Sequence, residues 1–296
     1  MNLRFSVALL LALACGVLQA APVHAYCRTN SCDPARGEVC TRVEGCLTGG
    51  LPLVWANSCV TYAVQRDGST KNAISAVELD GVIASAFETW TSVTCSDGTK
   101  PTIKVESIGQ VDCTNVEYNK DQGNANIYMF RDDEWTGTGA NALALTTVWY
   151  DWHTGKIYDA DVEINGTGGD ITNGAPQDGA DLPSIITHET GHFLGLDHSL
   201  NQASTMYAYY MPKHDNLREL NPDDVAGICE IYPTERSVDS DSCAPRHGFS
   251  SSCASEQVKG CAAVPGGPGS LSPNGAIGAL AMALGFVARR RRHARR

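Results

Sequence analysis

No two cysteines in this chain stand as Cys-x-x-Cys, although it carries twelve in 296 residues. That absence weakens any reading in which thiolates hold a metal. Positive charge is scarce as well. The formal net charge is −11, even though the last eight residues, Arg289 to Arg296, hold six arginines. The remainder is therefore more acidic than the total suggests, which argues against a nucleic-acid partner. No internal repeat is present. No apolar run at either end reaches the length of an ordinary membrane-spanning helix. Hydrophobic residues still make up 43% of the chain, enough for a real core and too many for wholesale disorder.

The N-terminus reads as a secretory signal. Arg4 gives a short positive start, Phe5 to Leu18 an apolar run, and cleavage after Ala25 or after Ala20 fits the small residues that follow. An uncleaved anchor is the alternative. Cys15 leaves with such a signal, so eleven cysteines remain, and an exported chain uses scattered cysteines for disulfides. Their connectivity cannot be read from spacing. The odd count points to Cys261 as the one left over, because it borders the C-terminal tail.

Composition divides the rest. Residues 26–49 hold four cysteines and many turn formers, a disulfide-tied lead-in. Residues 50–235 carry the periodic segments. Residues 236–262 form a Ser- and Cys-rich extension, and 263–275 a Pro/Gly linker. Residues 276–296 pair an apolar stretch with the arginine cluster.

Within 50–235, Leu79, Val82, Ile83, Ala86, Phe87 and Trp90 share one helical face, which predicts an amphipathic helix over Ala76 to Trp90. Strands are expected at 102–108, 126–130, 143–150 and 157–164, separated by Gly/Asn/Asp turns. A second helix is expected from Leu182 to Gly195, capped by Asp181 with Pro183 in its first turn. A third runs from Pro222 to Tyr232, with Asn221 as its cap. Helix, strands, helix, helix gives an α+β or three-layer α/β domain.

The chemistry concentrates in His188-Glu189-Thr190-Gly191-His192-Phe193-Leu194-Gly195-Leu196-Asp197-His198. On a helix His188 and His192 project from one face toward a common point. Gly195 can take the left-handed conformation that turns the chain sharply and brings His198 round as a third nitrogen ligand. Three protein ligands leave a fourth position open, the mark of a catalytic zinc site. Glu189 is placed to act as general base on the attacking water without binding the metal. A structural helix with surface histidines is the bland alternative. An inactive zinc-binding relative is another, and the intact Glu189 counts against it.

These eleven residues resemble the metzincin zinc motif, and their surroundings look like its matrixin (matrix metalloproteinase-like) branch. Ser204-Thr205-Met206-Tyr207 resembles the family's Met-turn, so Met206 is the methionine expected beneath the zinc, unless it is an ordinary core methionine. Ala86-Phe87-x-x-Trp90 is similar to the first-helix signature, and Asp223-Asp224-Val225-x-Gly227-Ile228 to the last helix. Leu143 and Ala144 stand where the family's substrate-binding edge strand begins. The resemblance covers about three fifths of the chain. It implies a twisted, mostly parallel sheet with an antiparallel edge strand, packed on an active-site helix and two further helices.

The departures matter too. Leu145 and Thr146 occupy the place of one histidine of the family's structural zinc, and His153 stands nearly alone, which counts against a second zinc. Asp159 and Asp161 fall near a family calcium region. Calcium ligands and solvated turn carboxylates are the two readings there. The pro-segment motif Pro-Arg-Cys-Gly does not occur, leaving the mode of latency open.

The order Gly260-Cys261, linker, apolar run, arginine cluster resembles the C-terminal sorting tails of myxobacterial exported proteins. That resemblance implies processing near the cysteine and display at the bacterial surface. A plain membrane anchor or a basic nucleic-acid-binding tail are the alternatives. The sequence thus leads to an exported monomeric zinc endopeptidase acting on protein or peptide, touching membrane only through its tail. The competing classes are a catalytically silent zinc-fold adhesion protein and a metallohydrolase of non-peptide substrates. The specificity pocket is expected between Tyr207 and Asp215.

Overall fold

The computed structural model describes residues 25–137, 139, 141–211, 213, 215 and 217–253, together with the backbone of 277–286. The expected signal run, Cys261, the Pro/Gly linker and the arginine cluster lie outside the described residues.

One sheet organises the chain. Its strands are β1 (Cys59–Gln65), β2 (Lys104–Val111), β3 (Ile127–Arg131), β4 (Ala144–Asp151), β5 (Lys156–Asn165), β6 (Tyr209–Tyr210) and β7 (Ile277–Phe286). They lie in the order β6-β7-β4-β5-β3-β1-β2, and Val54–Trp55 adds beside β5. β2, β1, β3 and β5 run parallel. β4 runs antiparallel to β5. This is the mostly parallel α+β sheet with an antiparallel strand toward its rim that the resemblance implies.

α1 (Ala76–Thr91) and α2 (Leu182–Phe193) pack on it, and α3 (Pro222–Ile231) lies against Leu196, in the turn that follows α2. Ser75 and Glu78 cap α1 reciprocally, and Leu79, Ile83, Ala86, Phe87 and Trp90 bury its apolar face. Asp181 caps α2 through Ser184 N at 3.0 Å and is itself gripped by the Arg218 guanidinium at 2.5 and 2.7 Å. α2 is buried almost all round. Carbonyls at its middle, at its end and at its C-cap are claimed by three buried aromatic donors. Trp90 Nε1 donates to Thr187, Trp55 Nε1 to Phe193 and Tyr232 Oη to Leu194, at 2.8, 2.8 and 2.9 Å. The helix that carries the histidines is thus held at its middle and at its C-terminal end by three donors from other segments.

Disulfides hold the periphery. Cys27–Cys46 and Cys32–Cys40 close within residues 26–49. Cys59–Cys243 and Cys113–Cys253 fasten the C-terminal extension to the sheet region, and Cys95–Cys229 ties α3 to the segment after α1.

Residues 277–286 form β7, antiparallel to β4 from Ile277↔Asp151 to Leu284↔Ala144. Among the described residues no helix is long and apolar enough to cross a membrane.

Candidate metal centre and peptide groove

α2 delivers His188 and His192 one turn apart, with ring centroids 4.8 Å from each other. The helix stops at Leu194, and Gly195 follows at φ 99°. A Cβ there would press on the Leu53 carbonyl at 2.8 Å, so the turn requires glycine. It carries His198 back until its Nε2 lies 3.2 Å from His192 Nε2. The ligand atoms of all three rings fall within 4.8 Å of one another.

Each ring on α2 is oriented by the backbone. His188 Nδ1 donates to the Thr205 carbonyl at 2.6 Å, and His192 Nδ1 to the Leu196 carbonyl at 2.9 Å. That assignment turns both Nε2 lone pairs toward the common point. Burial keeps the rings neutral. It pushes His188 down to about 3, with His198 nearby adding to the shift, and lowers His192 and His198 as well.

The trio fits zinc. Tetrahedral ligation at about 2.05 Å puts nitrogens roughly 3.3 Å apart, close to the His192–His198 spacing. His188 Nε2 is buried without a hydrogen-bond partner among the described residues. The other clusters with metal-ligand atoms, around Cys32 and Cys59, are built on disulfide cysteines. Leu145 and Thr146 on β4 supply no second histidine set.

Glu189 is fully buried beside the trio. Thr146 Oγ1 donates to its carboxylate at 2.5 Å. The sequence passed over Thr146 as a departure from the family pattern, and the signal that could have found it is its place two residues past Ala144 on the same strand face.

Met206 is fully buried beneath α2. A Cβ on Gly191 would collide with its sulfur and come within 2.8 Å of the Trp90 ring. The Met206 turn hangs on α3, because Asp224 accepts from Thr205 N, Met206 N and Asn221 N at 2.8, 3.1 and 2.9 Å, and from Ser204 Oγ. The motif flagged Asp224 only as part of a helix signature. Its carboxylate links that helix to the Thr205 carbonyl that aims His188.

Ala144 begins β4 and Leu143 directly precedes it; Ala144 lies opposite Ile164 of β5 on one side and Leu284 of β7 on the other, so the strand expected at the edge is flanked on both sides. Leu143 also lines a cavity of about 410 Å³ with Ala180, Tyr210 and Lys213. Tyr210 and Lys213 belong to the segment where the specificity pocket is expected.

Asp159 and Asp161 are not solvated turn carboxylates. They lie within β5, fully buried on the sheet face away from the helices. Asp161 accepts from Ile127 N and Glu117 N at 2.9 and 3.1 Å, while both Asp159 oxygens find no partner among the described residues. Burial, with Asp161 adding to it for Asp159, raises both well above the ordinary carboxylate value.

The sequence pattern of the matrixin family matches residues 54–233. The chain belongs to that family. It is 26% identical over 181 residues to metalloendoproteinase 1-MMP of Arabidopsis thaliana, covering 60% of this chain and 44% of that protein. It is 27% identical over 196 residues to karilysin of Tannerella forsythia, covering 64% and 36%. A shorter stretch of 54 residues is 43% identical to matrilysin of Rattus norvegicus, 18% of this chain and 20% of that one. The matched region thus spans less than half the length of these relatives.

Proposed function

We propose that the chain is an exported zinc endopeptidase that hydrolyses extended peptide at His188, His192 and His198, with Glu189 as general base. The observation that carries this reading is Glu189 held by Thr146 beside three convergent, neutral imidazoles. A zinc ion held by the trio would polarise the scissile carbonyl and acidify a water toward neutral pH. The chain's own groups do the rest. Thr146 orients Glu189, whose carboxylate takes the proton from the attacking water and passes it to the leaving amine. On the side where β7 pairs with it, β4 has the backbone N–H and C=O groups that an extended peptide would take by strand addition. The adjoining cavity beside Leu143 and Tyr210 takes a side chain. A silent adhesion protein would have no use for Glu189 and its Thr146 contact.

Export is supported by five disulfides, which persist in an oxidising compartment. The signal-like N-terminus and the sorting-type tail extend the same reading to display at the bacterial surface, as a monomer. Calcium at Asp159 and Asp161 completes it, supported by two buried Asp159 oxygens that a cation would satisfy.

The test is peptide hydrolysis with zinc measured in the same sample. Glu189→Ala should cost about three orders of magnitude in kcat and keep one zinc per chain. Undiminished hydrolysis in that variant would remove Glu189 from the reaction.

A further inference from the structure

We propose that the C-terminal segment Ile277–Phe286 is an intramolecular occupant of the peptide groove, competing in cis with external substrate. The inference rests on the reading of β4 as a peptide-binding rim and goes beyond it by naming the partner that the rim holds first.

The backbone carries the argument. β7 pairs with β4 without interruption over eight positions, Ile277↔Asp151 to Leu284↔Ala144. Its last two residues then pair in parallel with the opposite rim, Gly285↔Tyr209 and Phe286↔Tyr210. The segment therefore runs between two walls, antiparallel to one and parallel to the other. Met282 stands opposite Thr146, the residue whose hydroxyl holds Glu189. Leu284 stands opposite Ala144, beside the cavity lined by Leu143 and Tyr210. The occupant thus passes the general base and leaves along the specificity segment.

An external peptide adding to β4 needs the same backbone donors and acceptors, so the two exclude each other. The segment suits the task. Ile-Gly-Ala-Leu-Ala-Met-Ala-Leu-Gly-Phe has no charge to desolvate and no proline to break a ladder. Tethering to the same chain gives it an effective concentration on the order of millimolar, which external substrate must outcompete. Cleavage of the chain near Cys261 would convert the occupant from tethered to free, so that tail processing and activity are coupled.

The experiment uses the full chain loaded with zinc. Met282→Pro/Ala283→Pro removes adjacent N–H groups, one of which must face β4 whatever the parity of the ladder. For a fluorogenic extended peptide the parent should show a KM about tenfold or more above that of the double variant, at equal kcat. Synthetic Ile277–Phe286 added to the variant should restore the high apparent KM. In the Glu189→Ala background, anisotropy of a labelled peptide should report the same tenfold gain in affinity. A second variant carries a site-specific protease sequence within 263–275 and is cut after folding, and cutting should reproduce the gain. Equal KM and equal affinity with the strand intact, proline-broken or cut free would overturn the occupant. Improved binding without hydrolysis in any zinc-loaded form would keep the occupant and overturn the peptidase.

Discussion

Asp159 has a side chain with no polar partner among the described residues, fully buried within β5. Its carboxyl titrates well above the ordinary value when folded. A carboxyl raised on folding stabilises most below its unfolded value of about 3.9, and that contribution is lost as pH climbs toward the folded value. Without calcium, Asp159→Asn should therefore melt a few degrees above the parent at pH 7, the gap closing toward pH 4. With calcium the order reverses, because a bound cation satisfies the ionised carboxylate that asparagine lacks. Melting curves at both pH values, with and without calcium, decide it. An equal calcium gain in the variant would remove Asp159 from the site. At this scale the sequence was most legible where chemistry is local. His188, Glu189, His192 and Gly195 sit within eight residues, and their meeting follows from helical spacing and one left-handed turn. Thr146 lies 43 residues from Glu189, and nothing in spacing brings them together.

α3 looks like a terminal helix with a conventional cap, yet Asp224 in its first turn accepts four hydrogen bonds from the Met206 turn and from its own cap. Burial outweighs those bonds and leaves its carboxyl above the usual value. Asp224→Ala would strand buried donors, each costing about 1–3 kcal/mol, and would loosen the Thr205 carbonyl that orients His188. The expected result is a loss of at least about 3 kcal/mol in urea unfolding and zinc affinity lowered by about tenfold to a hundredfold in chelator competition. Unchanged zinc affinity in a destabilised variant would show that α3 supports the fold without aiming the ligand. Helices were read to within two residues because the apolar spacing of α1 and the caps Asp181 and Asn221 are local, while the Ser75 cap went unread. β1 escaped notice because Cys59–Gln65 is buried on both faces and shows no alternation. β7 escaped because an apolar decapeptide reads equally as anchor or strand until a partner rim is known.

Across the whole molecule, cysteine counting pointed to disulfides, which the structure shows, but not to the pairs, since loop closure leaves no trace in sequence spacing. The pairs divide into two mechanical kinds. Cys32–Cys40 closes a separation of 8 residues within the lead-in, whereas Cys95–Cys229 spans 134 and joins α3 to the segment after α1. In the chain-entropy account the first restricts the unfolded state by roughly 2.5 kcal/mol. The second would restrict it by roughly 5 alone, but Cys113–Cys253 already shortens the open path, so the increment is nearer 4. Double alanine replacement of Cys95 and Cys229 should therefore lower unfolding free energy by about 1.5 kcal/mol more than replacement of Cys32 and Cys40. Urea midpoints of the two variants compare them directly. The long-range bond also fastens the helix whose Asp224 holds the Met206 turn, so its loss should weaken zinc retention as well. The lead-in bond should leave zinc untouched. A larger effect from the short bond, on either stability or zinc, would place the mechanical anchor of the site in residues 26–49 instead of in α3.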